Sequence, residues 1–347
     1  MTRCSVLCVL VLGLAVAVAG CGEKAEPAGP GSGKTEPLTL MLDYFPNADH
    51  AGIYAAQASG EYERAGLDVK ILTPPDAAAP LKLLQAGRAD LVISYEPELL
   101  LARDKGADLV AVGALVQTPL TSLMSLGDRA ITRPEQLAGK RVGTSGLSYQ
   151  SAYLRTILET AGLAANDARE TNVGFNLVPA MLSKKVDATL GSFWNYEGVD
   201  LERRKRNPEI LRMEDLGVPT YNELVFVSRR DTLDENGGSR VRRFLQATAR
   251  GHELLKSDPD AGVDALLEAD RGLDRGLQTA AVRATLPVFF PEDAKRPFGF
   301  QDPAEWNAYE RWMRASGLLT RPQDERAPLT NEFLPGEGLD PRTAGLE

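Results

Sequence analysis

Short apolar segments of strand length alternate with helical segments from Leu38 onward, and this alternation constrains the fold more than any other feature of the chain. Leu38 to Leu42 reads as a strand that breaks at Asp43-Tyr44-Phe45-Pro46-Asn47. Gly52 to Arg64 has helical spacing and stops at Gly66, because a glycine just past a helix adopts the left-handed conformation without a Cβ clash. Asp68 to Leu72 alternates as a strand, Pro74-Pro75-Asp76 turns the chain, and Pro80 to Ala86 is helical again. Asp90 to Ile93 and Leu109 to Leu115 are strands on either side of a helix over Glu96 to Lys105. Helices inserted between successive strands imply a parallel sheet covered on both faces.

The pattern restarts after Leu126. Arg133 to Leu137 and Tyr149 to Thr160 read as helices, and Arg141 to Gly143, Val173 to Phe175 and Ala188 to Gly191 as strands. Val225 to Ser228 reads as a return strand, and the chain after Arg240 is mostly helical, most clearly over Phe244 to Leu255. The expected fold class is therefore α/β, with two similar domains joined by a hinge. Residues 38–121 and 227–347 are expected in one lobe and residues 122–226 in the other, with crossings near Thr118 to Leu126 and Tyr221 to Arg229. In such folds ligands bind at the carboxyl ends of strands, where loops meet helix N-termini.

The first residues have a different character. A basic start, Met1-Thr2-Arg3, precedes a run of small and apolar residues from Ser5 to Ala19. That run is shorter than the roughly twenty residues a membrane-spanning helix needs, so it reads as the core of a signal peptide. It ends in Val18-Ala19-Gly20-Cys21, which looks like a bacterial lipobox in which Cys21 is acylated. Residues 1–21 are thus expected to be leader and lipobox, and residues 22–37, rich in Gly, Pro, Glu and Lys, a flexible tether. The chain is expected to be exported and lipid-anchored, on the outer face of the cytoplasmic membrane or in the periplasm. Cys4 and Cys8 fall within the leader, so no disulfide is expected in the mature chain. Gly31-Ser32-Gly33-Lys34-Thr35 superficially matches a phosphate loop. It follows Pro-rich linker instead of a strand, and Glu36-Pro37 follows it where a helix would have to begin.

Composition removes other functions. A formal net charge of -9 argues against nucleic acid as a partner. Two histidines and no cysteine beyond Cys21 leave no zinc cluster, and His252-Glu253 lacks the second His of a metalloprotease helix. Ser145 lacks the elbow pattern of a serine hydrolase. No cofactor and no metal are expected.

Four blocks carry a family resemblance. Asp43-Tyr-Phe-Pro-Asn-Ala-Asp-His-Ala-Gly52, Gln85-Ala-Gly-Arg-Ala-Asp90, Gly139-Lys-Arg-Val-Gly143 and Gly191-Ser-Phe-Trp-Asn-Tyr-Glu-Gly198 occur in the order found in the NMT1/THI5-like group of type II substrate-binding proteins. The chain resembles that family over about Leu38 to Glu268, and within it the ThiY-type binders of thiamine pyrimidine precursors. The first and last blocks are specific, while the middle two are shared by many binding proteins. The resemblance implies a two-lobed type II periplasmic-binding-protein fold and a formylaminopyrimidine or hydroxymethylpyrimidine ligand. It also implies an ABC permease with its ATPase as partners, and a monomeric chain held at the membrane by its lipid. Relatives of similar design take riboflavin, sulfonates or nitrate. Others are enzymes that make the pyrimidine, but their cofactor-binding Lys and sacrificial His fall on Ser94 and Glu98, and Asn222 to Val227 contains no Cys.

The residues suit a flat heterocycle on their own terms. Tyr44, Tyr95, Trp194 and Tyr196 offer ring faces, and each stacking contact is worth ~0.5–1.5 kcal/mol. Asp43, Glu96 and Glu197 offer carboxylates, and Asn47 a donor beside an acceptor. His50 reads either as a ligand contact or as a bond to loop backbone, Tyr44 and Phe45 equally as core aromatics, and Asp49 as a helix N-cap. The segments Asp43–His50, Ser94–Glu98, Thr144–Ser151 and Ser192–Glu197 contain no Lys or Arg, which favours a neutral or cationic ligand. Against this, Ser145 and Ser148 open a helix, and helix N-termini bind anions through backbone N–H groups. An anion at Ser145 and an amine at Glu197 are both open at this point.

Overall fold

A computed structural model of the chain describes residues 35–290, 296–321 and 326–335. The expected leader, Cys21 and most of the tether lie outside the described residues. The strands are β1 (Glu36–Met41), β2 (Leu67–Leu72), β3 (Leu91–Ser94), β4 (Leu109–Val116) and β5 (Thr121–Leu126), followed by β6 (Arg141–Thr144), β7 (Arg169–Asn172), β8 (Ala188–Phe193), β9 (Pro208–Arg212) and β10 (Leu224–Arg229). The helices before the midpoint are α1 (Ala51–Ala58), α2 (Glu61–Arg64), α3 (Ala79–Gln85), α4 (Glu96–Asp104) and α5 (Ser148–Thr160). They are followed by α6 (Leu177–Leu182), α7 (Val199–Arg203), α8 (Glu235–Ser257), α9 (Pro259–Ala269), α10 (Arg275–Phe289) and α11 (Pro303–Ala315).

The strands form two five-stranded sheets, ordered β2-β1-β3-β10-β4 and β7-β6-β8-β5-β9. Each sheet follows one plan. β1 pairs in parallel with β2 and β3, and β6 in parallel with β7 and β8. The strand that arrives from the other sheet is antiparallel to both of its neighbours: β10 between β3 and β4, and β5 between β8 and β9. The carboxyl ends of β1, β3, β6 and β8 therefore lead into loops that meet between the sheets. The two-lobed α/β fold expected from the alternating segments is present.

Several local expectations change. Glu36 and Pro37, assigned to the tether, begin β1 and pair with Leu67 and Asp68. Pro37 is tolerated because its side of β1 faces β3, whose pairing starts at Leu40 opposite Leu91. The expected helix over Gly52 to Arg64 is broken into α1 and α2 at Gly60, which sits at φ 73. The expected strand Val173 to Phe175 is a turn, and the strand is Arg169–Asn172 just before it. That strand is polar because it is an edge, paired with β6 alone. Thr121–Leu126, read as a crossing, is a strand with a sheet position, and the return strand expected over Val225 to Ser228 is present as β10, so the connections narrow to residues 117–120 and 213–223.

The core of the first sheet is strongly apolar. Every residue of β4 is buried, as are Leu224 to Val227 of β10, and fully burying each Val, Leu or Phe among them is worth about 1.5–3 kcal/mol. The small residues of α1 permit a close approach to α8: a Cβ at Gly251 would lie 2.3 Å from the Gly52 carbonyl oxygen. This contact fixes the start of α1, and with it the turn Ala48–His50. The C-terminal helices touch both halves. α10 packs on Ala48–His50 and also on the turn Trp194–Gly198, while the Tyr309 hydroxyl of α11 bonds to that of Tyr153 on α5.

Candidate functional site

A cleft between the strand ends is lined by Asp43 and Tyr44 after β1, Tyr95 after β3, Ser145 after β6, Phe175 after β7, and Phe193, Tyr196 and Glu197 at the end of β8. Tyr149 and Gln150 of α5, Thr121 and Gly191 complete its inner surface. No Lys, Arg or His is among the lining residues. The cavity between these side chains is about 30 Å³, room for little more than one water, so a ring ligand enters only if the walls part.

The wall after β1 is a hydrogen-bond network completed by Tyr95 after β3, with His50 Nδ1 and Asp49 Oδ2 left without partners among the described residues. Asp43 is buried; its Oδ1 lies 2.9 Å from His50 Nε2, and its Oδ2 accepts from the Tyr95 hydroxyl at 2.9 Å. His50 thus stands behind Asp43, fully buried, and does not reach the cleft. Asn47 lines the cleft, but its polar atoms serve its own loop: Oδ1 accepts from the Asp49 N–H at 2.8 Å and Nδ2 donates to the Phe45 carbonyl at 3.0 Å. Asn47, not Asp49, caps the turn Ala48–His50. Asp49 is instead buried and accepts from Asn195 Nδ2 at 2.6 Å, joining the two walls, while Asn195 also donates to Thr285 of α10. Burial pushes the Asp49 carboxyl up to about 7, partly offset by His50 and Asn195.

The wall after β8 is open. Residues Trp194–Gly198 wind as a π-helix, a turn wider than α, which decides which side chains point inward. Phe193, Tyr196 and Glu197 face the cleft. Trp194 does not, contrary to its expected role as a stacking face. Its Nε1 donates to the Pro119 carbonyl at 3.2 Å, and the Arg212 guanidinium lies over its ring at 3.8 Å. Glu197 is 8% exposed; its Oε2 accepts from the Phe193 N–H at 2.8 Å. Burial pushes its carboxyl up to about 7, opposed by backbone N–H groups. Tyr196 is pushed up to about 12 by burial, and its hydroxyl accepts from Gln278 of α10 at 3.2 Å.

Other expected site residues sit elsewhere. Glu96, at the first position of α4, is fully buried away from the cleft; its Oε2 accepts from the Asn222 N–H and Nδ2, both at 2.7 Å. It ties α4 to the segment entering β10. Ser148 is exposed at the start of α5 and does not line the cleft. Ser145 lines it, but its N–H and hydroxyl both donate to Gln150 Oε1, at 2.9 and 3.0 Å. Ser145's own donors are therefore occupied internally, while the first turn of α5 carries no side-chain cap. Gly191, at φ +117, makes room for this arrangement, because a Cβ there would lie 2.4 Å from Gln150 Nε2.

Sequence reasoning passed over Tyr149, Gln150, Phe175 and Phe193. Phe175 was hidden by the misplaced strand, whereas Phe193 stood beside the chosen Trp194. Phe175 matters most, because it crosses the mouth of the cleft. The Tyr44 hydroxyl donates to its carbonyl at 3.1 Å, and the Tyr44 and Phe175 rings meet edge to face with centroids 4.5 Å apart. Phe45 joins them at 5.2 and 5.1 Å and stays 49% exposed.

A second hollow, between α4 and the C-terminal segment, is lined by Arg103, Arg314 and Arg326 with Asp104, Asp108 and Glu310. Its walls are ion pairs, Arg314 to Glu310 at 2.6 Å and Arg326 to Asp108 at 2.8 Å. None of the strand-end loops holding the expected site residues reaches it.

Comparison with known proteins agrees with this geometry. Residues 47–262 match the family model described as "NMT1/THI5 like". The chain is 31% identical over 291 residues to the formylaminopyrimidine-binding protein of Halalkalibacterium halodurans, covering 83% of this chain and 87% of that protein. It is 26% identical over 301 residues to a 4-amino-5-hydroxymethyl-2-methylpyrimidine phosphate synthase of Legionella pneumophila, covering 86% and 92%. In three dimensions it resembles the alkanesulfonate-binding protein SsuA of Xanthomonas axonopodis pv. citri bound to MOPS, with a TM-score of 0.63 at 18% identity over 84% of this chain and 96% of that one. At that identity the likeness is one of fold.

Proposed function

The chain belongs to the NMT1/THI5-like family, and from that premise we propose that it is an exported solute-binding protein for a thiamine pyrimidine precursor of the formylaminopyrimidine or hydroxymethylpyrimidine type. The observation that carries the reading is the make-up of the cleft: Tyr44, Tyr95, Tyr149, Phe175, Phe193 and Tyr196 surround one open carboxyl, Glu197, with no cationic side chain in the lining. Aromatic faces hold a flat ring, and the carboxyl accepts from its exocyclic amine, a charge-assisted bond worth roughly 1.5–3 kcal/mol. Asp43 and Asn47 shape the wall through their own bonds, and Tyr95 is oriented by its bond to Asp43. The sheets act as two lobes; the expected bounds, residues 38–121 with 227–347 and residues 122–226, shift so that β5 from Thr121 falls in the second lobe and β10 from Leu224 in the first. The lobes close on the ligand about the two connections. The lipid on Cys21 holds the protein at the membrane, where an ABC permease and its ATPase take the cargo.

A pyrimidine synthase reading has the Legionella relative in its favour. It is the weaker reading here. At the positions where the enzymes' Lys and His fall, Ser94 donates to Glu98 Oε2 at 3.0 Å, so neither an amine that could form a Schiff base nor an imidazole stands there. The sulfonate reading is weakened by the occupied donors of Ser145. Calorimetry with formylaminopyrimidine and with an alkyl sulfonate separates the ligands. Tight pyrimidine binding with no sulfonate heat is expected, and the reverse would overturn the assignment.

A further inference from the structure

We infer that ligand capture takes up a proton: in the closed complex a single proton is shared between the Glu197 carboxyl and a ring nitrogen of the ligand, so the cleft selects weakly basic heterocycles. This inference rests on the aminopyrimidine reading above and specifies the charge state in which that ligand is held.

Three structural facts carry it. First, Glu197 is the carboxyl available to a ligand. Its Oε2 is held by the Phe193 N–H, and no other residue among those described donates to Oε1. Asp43, the other acid in the lining, already has one oxygen against His50 and the other bonded to Tyr95.

Second, no cation among the described residues is paired with Glu197. The groups that face it electrostatically are acids: Tyr44 and Asp43 after β1, Asp49 in the turn Ala48–His50, Tyr196 on its own turn and Asp200 on α7, whose charge is taken up by Arg204 at the end of that helix at 2.8 Å. The α5 and α10 residues at the cleft, Tyr149, Gln150 and Gln278, bring no positive charge either. Arg212 is engaged over the outer face of Trp194, and His50 is screened by Asp43.

Third, the site is dry enough for this to matter, with Glu197 8% and Asp43 2% exposed. Placing a neutral ring nitrogen beside a buried carboxylate would set two acceptors against each other. One proton between them turns that repulsion into a charge-assisted hydrogen bond. The direction of the Glu197 shift agrees, since burial holds its carboxyl up to about 7. The proton comes from Glu197 itself at low pH and from solvent at high pH, and no bond other than that to hydrogen changes.

The pH dependence follows from proton counting. Below about pH 6 the carboxyl already carries the proton, so capture of the unprotonated ring takes none from solvent, and a ring that is itself protonated gives its proton up on binding. Above about pH 8 the carboxylate and the ring are both unprotonated, so capture takes up one proton and affinity falls about tenfold per pH unit.

The test is calorimetry of the full-length protein with 4-amino-2,5-dimethylpyrimidine as the probe, in pairs of buffers that differ in ionisation enthalpy. Proton uptake close to one per ligand at pH 8.5 is expected, falling through zero as the pH drops and turning to proton release where the free ring is itself protonated. Kd should rise about tenfold between pH 8 and pH 9. In Glu197→Gln both the uptake and the slope should vanish even though binding is weaker, and the buffer comparison on the unaltered protein stands without that variant. Tight binding at pH 8.5 with no proton uptake would overturn the inference while leaving the pyrimidine ligand intact. No binding of the probe or of formylaminopyrimidine at any pH would overturn both.

Discussion

The two walls of the cleft are built from the same parts and reach opposite states. The wall after β1 contains a carboxylate, a histidine, a tyrosine and an asparagine, and nearly all of their polar atoms are bonded to one another or to their own loop. The wall after β8 also carries a carboxylate and a tyrosine, but Glu197 keeps an edge on the cleft, held from behind by the backbone N–H groups of Phe193 and of Glu197 itself. The difference separates scaffold from receptor. A saturated network holds its shape without a ligand, whereas a partly saturated group in a buried site gains most when a ligand completes it.

Substituting the two acids should split stability from binding. Asp43→Ala leaves His50 Nε2 and the Tyr95 hydroxyl without their partner, so a loss of about 3 kcal/mol or more in unfolding free energy is expected by urea titration. An unchanged midpoint would mean that the first wall is not the scaffold described. Glu197→Gln should move the other quantity. Binding of formylaminopyrimidine is expected to weaken about ten- to more than a hundredfold, the equivalent of roughly 1.5–3 kcal/mol. Its unfolding free energy should hold or rise, because a buried acid with no cationic partner is replaced by a neutral amide.

Smaller effects sharpen the same contrast. Tyr44→Phe removes the hydroxyl that reaches across the cleft mouth to the Phe175 carbonyl but keeps the ring contacts. A loss of about 1 kcal/mol in affinity is expected, seen mainly as faster ligand release in stopped-flow dissociation. Trp194→Ala is the control. Since its ring sits against Arg212 and Pro119 outside the cleft, affinity should stay within about 0.5 kcal/mol of the parent while stability drops. A large affinity loss in this variant would return Trp194 to the ligand.

These contrasts also show how far the site was legible before its structure. The loops were legible, because a loop after a strand is marked by local breaks in apolar periodicity, as at Asp43 to Asn47 and Ser192 to Gly198. Asp43, Tyr44, Asn47, Tyr95, Ser145, Tyr196 and Glu197 all lie on the cleft. His50, Glu96, Ser148 and Trp194, chosen by the same reasoning, do not. Glu96 is taken by Asn222, 126 residues away, and Trp194 is turned outward by a π-helical winding that no residue pattern announced.

What the sequence determined by itself was the order of most strands and helices, with β5 read as a crossing and β9 passed over, together with the doubling of the α/β unit and the loops in which a ligand would be met. Each follows from periodicity and turn chemistry within a dozen residues. What the tertiary structure decided was which side chain of each loop faces inward, and which polar group still has an unclaimed edge when the chain has closed. Ser145 was claimed by Gln150, Asp43 by His50 and Tyr95, and Asp49 by Asn195, 146 residues away. Residue type states how many hydrogen bonds a group can make, but only the folded neighbourhood states how many are already made, and that remainder is what a ligand can use.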